Sequence, residues 1–282
     1  MIAIFFLGVI IISWGYLTSF PIMLFIGMKS SSLPFWITTL PIAHRGLHAL
    51  HIPENSLLAF EKAKERGFGI ELDVRLTKDN QVVVFHDEAL DRLTGVIGKT
   101  NAFTYEELSK FSLQGTDQKI PLLREVLQLV NGVIPIYIEI KNTDFFSNNY
   151  ILEKNIYEEI RNYNGSLTVI SFNPFSLSWF KKYAPHILRG QTSASYKDAK
   201  NLKDFFWKRL FLKQYLANFL SQPHFLIYNL QDIPHNATLQ LLRKKIPLIT
   251  YGVNNLETLK LAHSMKINFM FDYIEDQITI NT

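Results

Sequence analysis

Short apolar runs of strand character alternate with helix-like segments from Pro41 to Asp272 with little interruption, and this alternation is what most restricts the fold. Strands joined by helical stretches describe βα units, because a parallel neighbour can be reached only by a long crossover. The candidate strands are Pro41–His44, Gly69–Val74, Val82–His86, Pro135–Ile140, Leu167–Ser171, Ile187–Gly190, Phe225–Asn229, Leu248–Tyr251 and Phe269–Asp272. Between most of them lie helix candidates: Asn55–Arg66, Leu122–Val130, Ile151–Tyr163, Pro174–Tyr183, Asn201–Leu220, Ala237–Lys244 and Leu256–Ser264. Eight βα units take roughly 250 residues, so the expected fold is α/β, a distorted (β/α)8 barrel of the TIM type. Nine runs are one too many for eight barrel strands, and one of them must be peripheral. Only Arg75–Gln81 separates the second run from the third, too short for a helical crossover, which predicts a hairpin or an irregular part of the barrel. From Glu88 to Ile120 the periodicity is weak and turn formers recur, which predicts a small inserted lobe over about residues 88–120.

Ahead of the alternating region, Met1 to Met28 contains no charged side chain. At about 1.5 Å of rise per residue, Ile2–Phe20 alone approaches the length that crosses a bilayer. The expected organisation is a transmembrane anchor at 1–28, a connector at 29–40 and one folded domain at 41–282. A cleaved signal peptide is the rival reading, but its basic first segment is missing. Lys29 and the later basic residues follow the apolar run, so the positive-inside rule favours a membrane protein with its domain on the cytoplasmic side. The formal charge of +4 comes without a Lys/Arg block, which gives no basis for nucleic-acid binding. The absence of cysteine excludes disulfides, thiolate metal sites and a cysteine nucleophile, so any metal must be held by oxygen or imidazole.

The candidate chemistry begins at Ile70-Glu71-Leu72-Asp73-Val74, where alternation along a strand puts both carboxylates on one face. Buried together they repel, and a divalent cation is the compact way to offset that repulsion. Glu139 and Lys141 share a face in the same manner at the end of another apolar run, where barrel sites are built. Solvated charges on an exposed strand give the same local pattern, and that pattern alone does not decide. His44 and His86 each follow a short apolar run directly, in position to face whatever lies above the sheet. Such a pair beside three acids fits an acid and a base on opposite sides of a reacting phosphorus. His48, His51, His186, His224, His235 and His263 lack a comparable setting and read as structural or solvent-facing.

These segments, taken in order, resemble the glycerophosphodiester phosphodiesterase family. The matching stretches are A-H-R-G from Ala43, then P-E-N-S-L-L-A-F, I-E-L-D-V-R-L-T-K-D, and V-V-V-F-H-D followed by L-D-R-L-T-G. Farther on, Ile120–Leu127, Ile138-Glu139-Ile140-Lys141 and Ser171-Phe172 continue the pattern. The resemblance implies a distorted barrel with a lobe after the second histidine, and His44 and His86 as general acid and base. It implies one divalent cation, Ca2+ or Mg2+, on Glu71, Asp73 and Glu139, with Arg45 and Lys141 holding the phosphate. Glu54 and Asn55 match the family's Glu-Asn pair near the site, although Asn55 equally suits a helix cap, and Asp87 suits the orienting of a neighbouring group.

Two positions depart from the family. Tyr251 stands where tryptophan is usual; it can still stack on a glycerol backbone, so it is a substrate-binding candidate. Phe271 replaces a small polar residue before Asp272, whose role stays unassigned. The aromatic and basic stretch Lys200–Leu220 reads as an outer barrel helix, with an interfacial lipid-binding helix as the alternative. The expected activity is metal-dependent hydrolysis of glycerophosphodiesters to glycerol 3-phosphate and an alcohol. The alternatives are hydrolysis of membrane lysophospholipids in the manner of a lysophospholipase D, a lyase giving a cyclic phosphate, and a lipid-binding protein without catalysis.

Overall fold

The computed structural model describes residues 32–142, 149–193, 218–232 and 246–278. The expected anchor at 1–28, most of Lys200–Leu220, the helix Ala237–Lys244 and His235 lie outside these residues. Among the described residues no helix is long and apolar enough to cross a membrane.

Nine strands share one sheet: β1 (Ile42–Ala43), β2 (Gly69–Leu76), β3 (Val82–Val84), β4 (Ile136–Ile140), β5 (Leu167–Ser171), β6 (Leu188–Ser193), β7 (Phe225–Asn229), β8 (Leu248–Val253) and β9 (Asn268–Phe271). Their order is β1-β9-β8-β7-β6-β5-β4-β2-β3, and a parallel pairing of β1 with β2 closes the ring. Eight parallel strands therefore make the barrel, and the surplus ninth run is β3. It pairs antiparallel with β2 from Val74↔Val84 to Leu76↔Val82, so the short Arg75–Gln81 connection is a hairpin.

The helices are α1 (Phe35–Thr38), α2 (Leu57–Glu65), α3 (Asp91–Thr94), α4 (Tyr105–Leu108), α5 (Leu123–Val130), α6 (Ile151–Ile160), α7 (Pro174–Tyr183), α8 (Asn218–Ser221) and α9 (Leu256–Met265). Their starts follow capping chemistry. The Ser56 hydroxyl accepts from the Ala59 amide, Asn173 accepts from the Phe175 amide with Pro174 in the first turn, and Asn255 accepts from the Thr258 amide.

Strand alternation divides the interior from the helix layer. Ile70, Leu72, Val74, Ile136, Ile138 and Ile140 point outward into the main core under the helices. Ile42, Tyr137, Ile170, Phe225, Ile227, Ile249 and Met270 point inward and pack with Trp36 and Ile37 of α1. The Asn268 amide group donates to the Ile37 and Leu40 carbonyls at 3.0 and 2.9 Å, and the Tyr137 hydroxyl donates to the Trp36 carbonyl at 3.2 Å. Asn268 and Tyr137 lie at the beginnings of their strands, so α1 closes the N-terminal end of the barrel and the apolar inner layer forms a floor. The next inward positions on β2 and β4 are Glu71, Asp73 and Glu139, above that floor, toward the C-terminal end where barrel enzymes build their sites.

The segment from Glu88 to Leu122 is irregular, holding α3, α4 and a 3-10 turn at Thr100–Ala102. It has its own apolar cluster, in which Leu90, Leu93, Leu108, Leu113, Ile120 and Leu122 pack on Val83 and Phe85. A capping box between Thr104 and Glu107 starts α4.

Candidate active site

The side chains of Glu71, Asp73 and Glu139 are buried, and one carboxylate oxygen from each lies within 4.8 Å of the others. The pairing of β2 with β4 brings them together, since Asp73 stands directly opposite Glu139 and Glu71 sits one inward step below Asp73. Burying such charges costs several kcal/mol each. The outward faces of the same strands offset this: each fully buried Ile or Leu, such as Ile70, Leu72 or Ile138, contributes about 1.5–3 kcal/mol.

Two cations answer part of the charge. Lys141 Nζ lies 2.9 Å from Asp73 Oδ1 and 2.5 Å from Glu139 Oε1, while Arg45 Nε lies 3.4 Å from Asp73 Oδ2. Glu71 is treated differently. Its Oε2 accepts the Arg45 backbone N–H at 3.1 Å, while its buried Oε1 has no hydrogen-bond partner among the described residues. Burial and the Asp73 carboxylate beside it raise the Glu71 pKa to about 8. Asp73 is held far below the usual carboxylate range: burial opposes its charge, and Lys141, His86 and Arg45 outweigh burial. Three hard oxygen donors around one unanswered carboxylate oxygen fit a divalent cation of the calcium or magnesium kind.

The loop after β1 carries His44 and Arg45 and needs an unusual backbone. Arg45 has φ 57°, which turns its N–H onto Glu71, and Gly46 follows at φ 81°. A Cβ on Gly46 would stand 2.8 Å from the Ala59 backbone, so only glycine lets this loop lie against α2. Asn55, also left-handed at φ 57°, donates from Nδ2 to Asp73 Oδ2 at 2.8 Å and accepts from the Asp73 N–H at 3.3 Å. Ser56 caps α2, so Asn55 is free to brace the acid cluster.

The histidines flank the loops around β2 in contrasting settings. His44 Nδ1 lies 3.0 and 3.2 Å from the two oxygens of Asp272, and its Nε2 lies 3.8 Å from Glu71. Burial works against the His44 charge, but the bond to Asp272 and the Glu71 carboxylate overcome it and raise the pKa to about 8. His86 Nδ1 lies 2.7 Å from Asp87 Oδ1, and its Nε2 has no protein partner among the described residues. Burial lowers its pKa to about 4, with Lys141 and Arg45 adding to the effect and Asp73 opposing it.

Glu54 lies between two guanidinium groups. It accepts from Arg45 Nη1 at 2.8 Å and from Arg92 Nη2 and Nη1 at 2.7 and 3.0 Å. Arg92, at the start of the lobe, also pairs with Asp87 through Nε, so one arginine ties the carboxylate behind His86 to the carboxylate behind Arg45. Tyr251 is partly buried on the interior face of β8 and packs on the inner apolar layer. Its strand neighbours β9, from which Asp272 follows.

Three partners escaped the sequence reading. His48 was expected to be structural or solvent-facing, yet its Nε2 lies 2.9 Å from Asp272 Oδ1, and the Tyr273 ring packs edge-on against it at 4.7 Å. Asp272 thus receives both His44 and His48. The sequence pattern assigns no role to Asp272 or Arg92. The other described histidines do hold outlying positions: His224 accepts the Arg189 N–H at 3.1 Å, His263 stacks near Phe269 and His186 near Tyr157.

The profile of the glycerophosphoryl diester phosphodiesterase family matches residues 44–275. A glycerophosphodiester phosphodiesterase of Caldanaerobacter subterraneus is 41% identical over 162 residues, which is 54% of this chain and 65% of that protein. A human lysophospholipase D is 38% identical over 136 residues, 44% of this chain and 41% of that protein. The chain therefore spans less than two thirds of each of these two relatives. Among solved structures, an Oleispira antarctica phosphodiesterase in complex with the product sn-glycerol-3-phosphate superposes with a TM-score of 0.71 at 20% identity, covering 86% of this chain and 96% of that one. At that identity the likeness concerns the fold. With the family profile spanning nearly all of the barrel, the chain belongs to the glycerophosphoryl diester phosphodiesterase family.

Proposed function

We propose that the protein hydrolyses glycerophosphodiesters to glycerol 3-phosphate and an alcohol, with one divalent cation on Glu71, Asp73 and Glu139. The observation that carries this reading is the opposed pair of histidine environments beside the carboxylate trio. Groups whose surroundings push their pKa values apart are suited to opposite proton-transfer roles. His86, with pKa about 4, is neutral near pH 7; Asp87 takes its Nδ1–H, leaving the Nε2 lone pair to receive a proton from the attacking water. His44, with pKa about 8, is protonated there and donates from Nε2 to the departing alkoxide as the phosphorus–oxygen bond breaks. Arg45 and Lys141 supply positive charge to the phosphate oxygens. The bound cation would stabilise the negative charge that gathers on those oxygens in the transition state.

Two outcomes are expected. Purified protein cleaves glycerophosphodiesters, loses that activity in chelator and regains it with calcium or magnesium. Lysophospholipids and a phosphorus NMR search for cyclic phosphate belong in the same panel, and full activity in chelator would overturn the metal assignment. The pH profile of kcat/KM is bell-shaped: it rises through about 4 as His86 loses its proton and falls through about 8 as His44 loses its own. A rate that still climbs steeply above pH 9 would reverse the roles given to the two histidines.

A further inference from the structure

A chain of polar contacts joins the two ends of the proposed chemistry, and Arg92 is its central link. All three guanidinium nitrogens of Arg92 are committed. Nη2 and Nη1 donate to Glu54 Oε1 and Oε2 at 2.7 and 3.0 Å, and Nε donates to Asp87 Oδ2. The other Asp87 oxygen meets His86 Nδ1 at 2.7 Å. Glu54 Oε1 also accepts from Arg45 Nη1 at 2.8 Å. His86, Asp87, Arg92, Glu54 and Arg45 thus form one series of contacts, with the proton acceptor at one end and a phosphate-binding cation at the other.

Each contact fixes something that the backbone leaves open. Several staggered rotamers are available to an aspartate side chain, and the grip of Arg92 on Oδ2 selects the one in which Oδ1 faces His86. The Glu54 carboxylate, forked against Arg92, is held so that Oε1 also meets Arg45. Burial opposes the charge on both carboxylates. Of the groups that restore it, the bond from Arg92 is the largest for each, ahead of Arg45 at Glu54 and of His86 at Asp87. Arg92 itself comes from outside the barrel. It lies in α3, where the adjacent Leu93 is buried in the apolar cluster on Val83 and Phe85, so packing of the Glu88–Leu122 segment delivers the guanidinium to the site. The Arg92 side chain is 46% exposed. An ion pair at that exposure contributes little to folding stability, so its loss should be read in the reaction more than in the melting temperature.

We infer that Arg92 is a positioning residue for the hydrolysis: by gripping Asp87 and Glu54 at once, it holds the His86 imidazole and the Arg45 guanidinium in a single arrangement. The inference rests on the proposed phosphodiesterase reading, in which His86 takes the proton and Arg45 meets the phosphate. The Glu88–Leu122 segment is then a working part of the active site.

The test is kcat, KM and melting temperature of the full-length, metal-loaded protein on glycerophosphocholine and glycerophosphoethanolamine, for the parent, Arg92→Gln, Arg92→Lys and each of these combined with Asp87→Asn. Arg92→Gln should lower kcat by about 10–100-fold, the scale of a catalytic group misplaced by up to about 1 Å. KM should rise only a few-fold and the melting temperature should stay within a few degrees. Arg92→Lys keeps the charge and loses the fork, so it should recover only a small part of kcat. In the Asp87→Asn background Arg92→Gln should cost much less than in the parent, because the link to His86 is already broken. Normal kcat in Arg92→Gln, a loss confined to KM, full turnover in Arg92→Lys, or losses that simply multiply in the double variant would each overturn the inference. Should Arg92→Gln melt below the assay temperature, the same cycle run with Arg92→Lys decides. If the parent cleaves no glycerophosphodiester, the activity falls and the inference with it; cleavage with normal turnover in Arg92→Gln removes the inference alone.

Discussion

Asp272→Asn is expected to lower kcat by up to about 10⁴-fold while leaving KM within a few-fold, on the precedent of carboxylates that hold a catalytic imidazole. In the native site both Asp272 oxygens face His44 Nδ1, fixing the ring so that Nε2 points toward the carboxylate cluster. Asparagine keeps the shape but offers one acceptor and one donor, so the ring loses a negative partner and its orientation becomes ambiguous. The pH profile gives a second readout. The bond to Asp272 is the largest influence raising His44, so its loss should move the alkaline limb of activity downward from about 8. His48 shares Asp272, and burial of that carboxylate is offset first by His44 and then by His48. His48→Ala should lower kcat more weakly, by loosening the carboxylate that orients the His44 ring, without lowering the alkaline limb. An Asp272→Asn enzyme with normal kcat and an unmoved alkaline limb would remove His44 as the acid.

The sites that could be read from the sequence are those whose geometry is local. Alternation along one strand is enough to put Glu71 beside Asp73, and a strand end is enough to place His44, His86 and Glu139 near a barrel mouth. The short link at Arg75–Gln81 likewise announces the β2–β3 hairpin, because seven residues cannot build a crossover. What stayed hidden depends on closure of the ring. Asp272 meets His44 across 228 positions of sequence, only because β9 pairs with β1 to shut the barrel. No local pattern marks His48 as a partner of Asp272, since a histidine in a loop looks the same whether or not a distant strand end arrives beside it. Arg92 was hidden for a related reason: its role exists only once the lobe folds back over both Glu54 and Asp87. The ambiguity over Asn55, site residue or helix cap, is of another kind. Asparagine suits both roles, and the left-handed backbone at Asn55 leaves the cap to Ser56 and gives the amide to Asp73.

Glu71→Gln should separate stability from function more sharply than any other change at this site. Glutamine keeps an oxygen that can accept the Arg45 N–H, so the loop after β1 retains its anchor. Activity is expected to fall by about 10³-fold or more, because loss of one of three charged ligands weakens cation binding and removes several kcal/mol of charge stabilisation from the transition state. Stability of the metal-free protein should move the other way. A carboxyl group whose folded pKa lies above its unfolded value destabilises the fold once ionised. For Glu71 the penalty is absent below about 4.5, grows as pH rises toward about 8 and is constant above that. At pH 7 the metal-free Glu71→Gln protein should thus melt at the same temperature as the parent or higher, with a flatter dependence on pH. Added calcium or magnesium should raise the melting temperature of the parent, as any ligand selective for the folded state does, and leave the variant nearly unmoved. A metal-free variant that melts well below the parent would mean that Glu71 is held by protein contacts instead of waiting for a cation, and the trio would lose its claim to be a metal site.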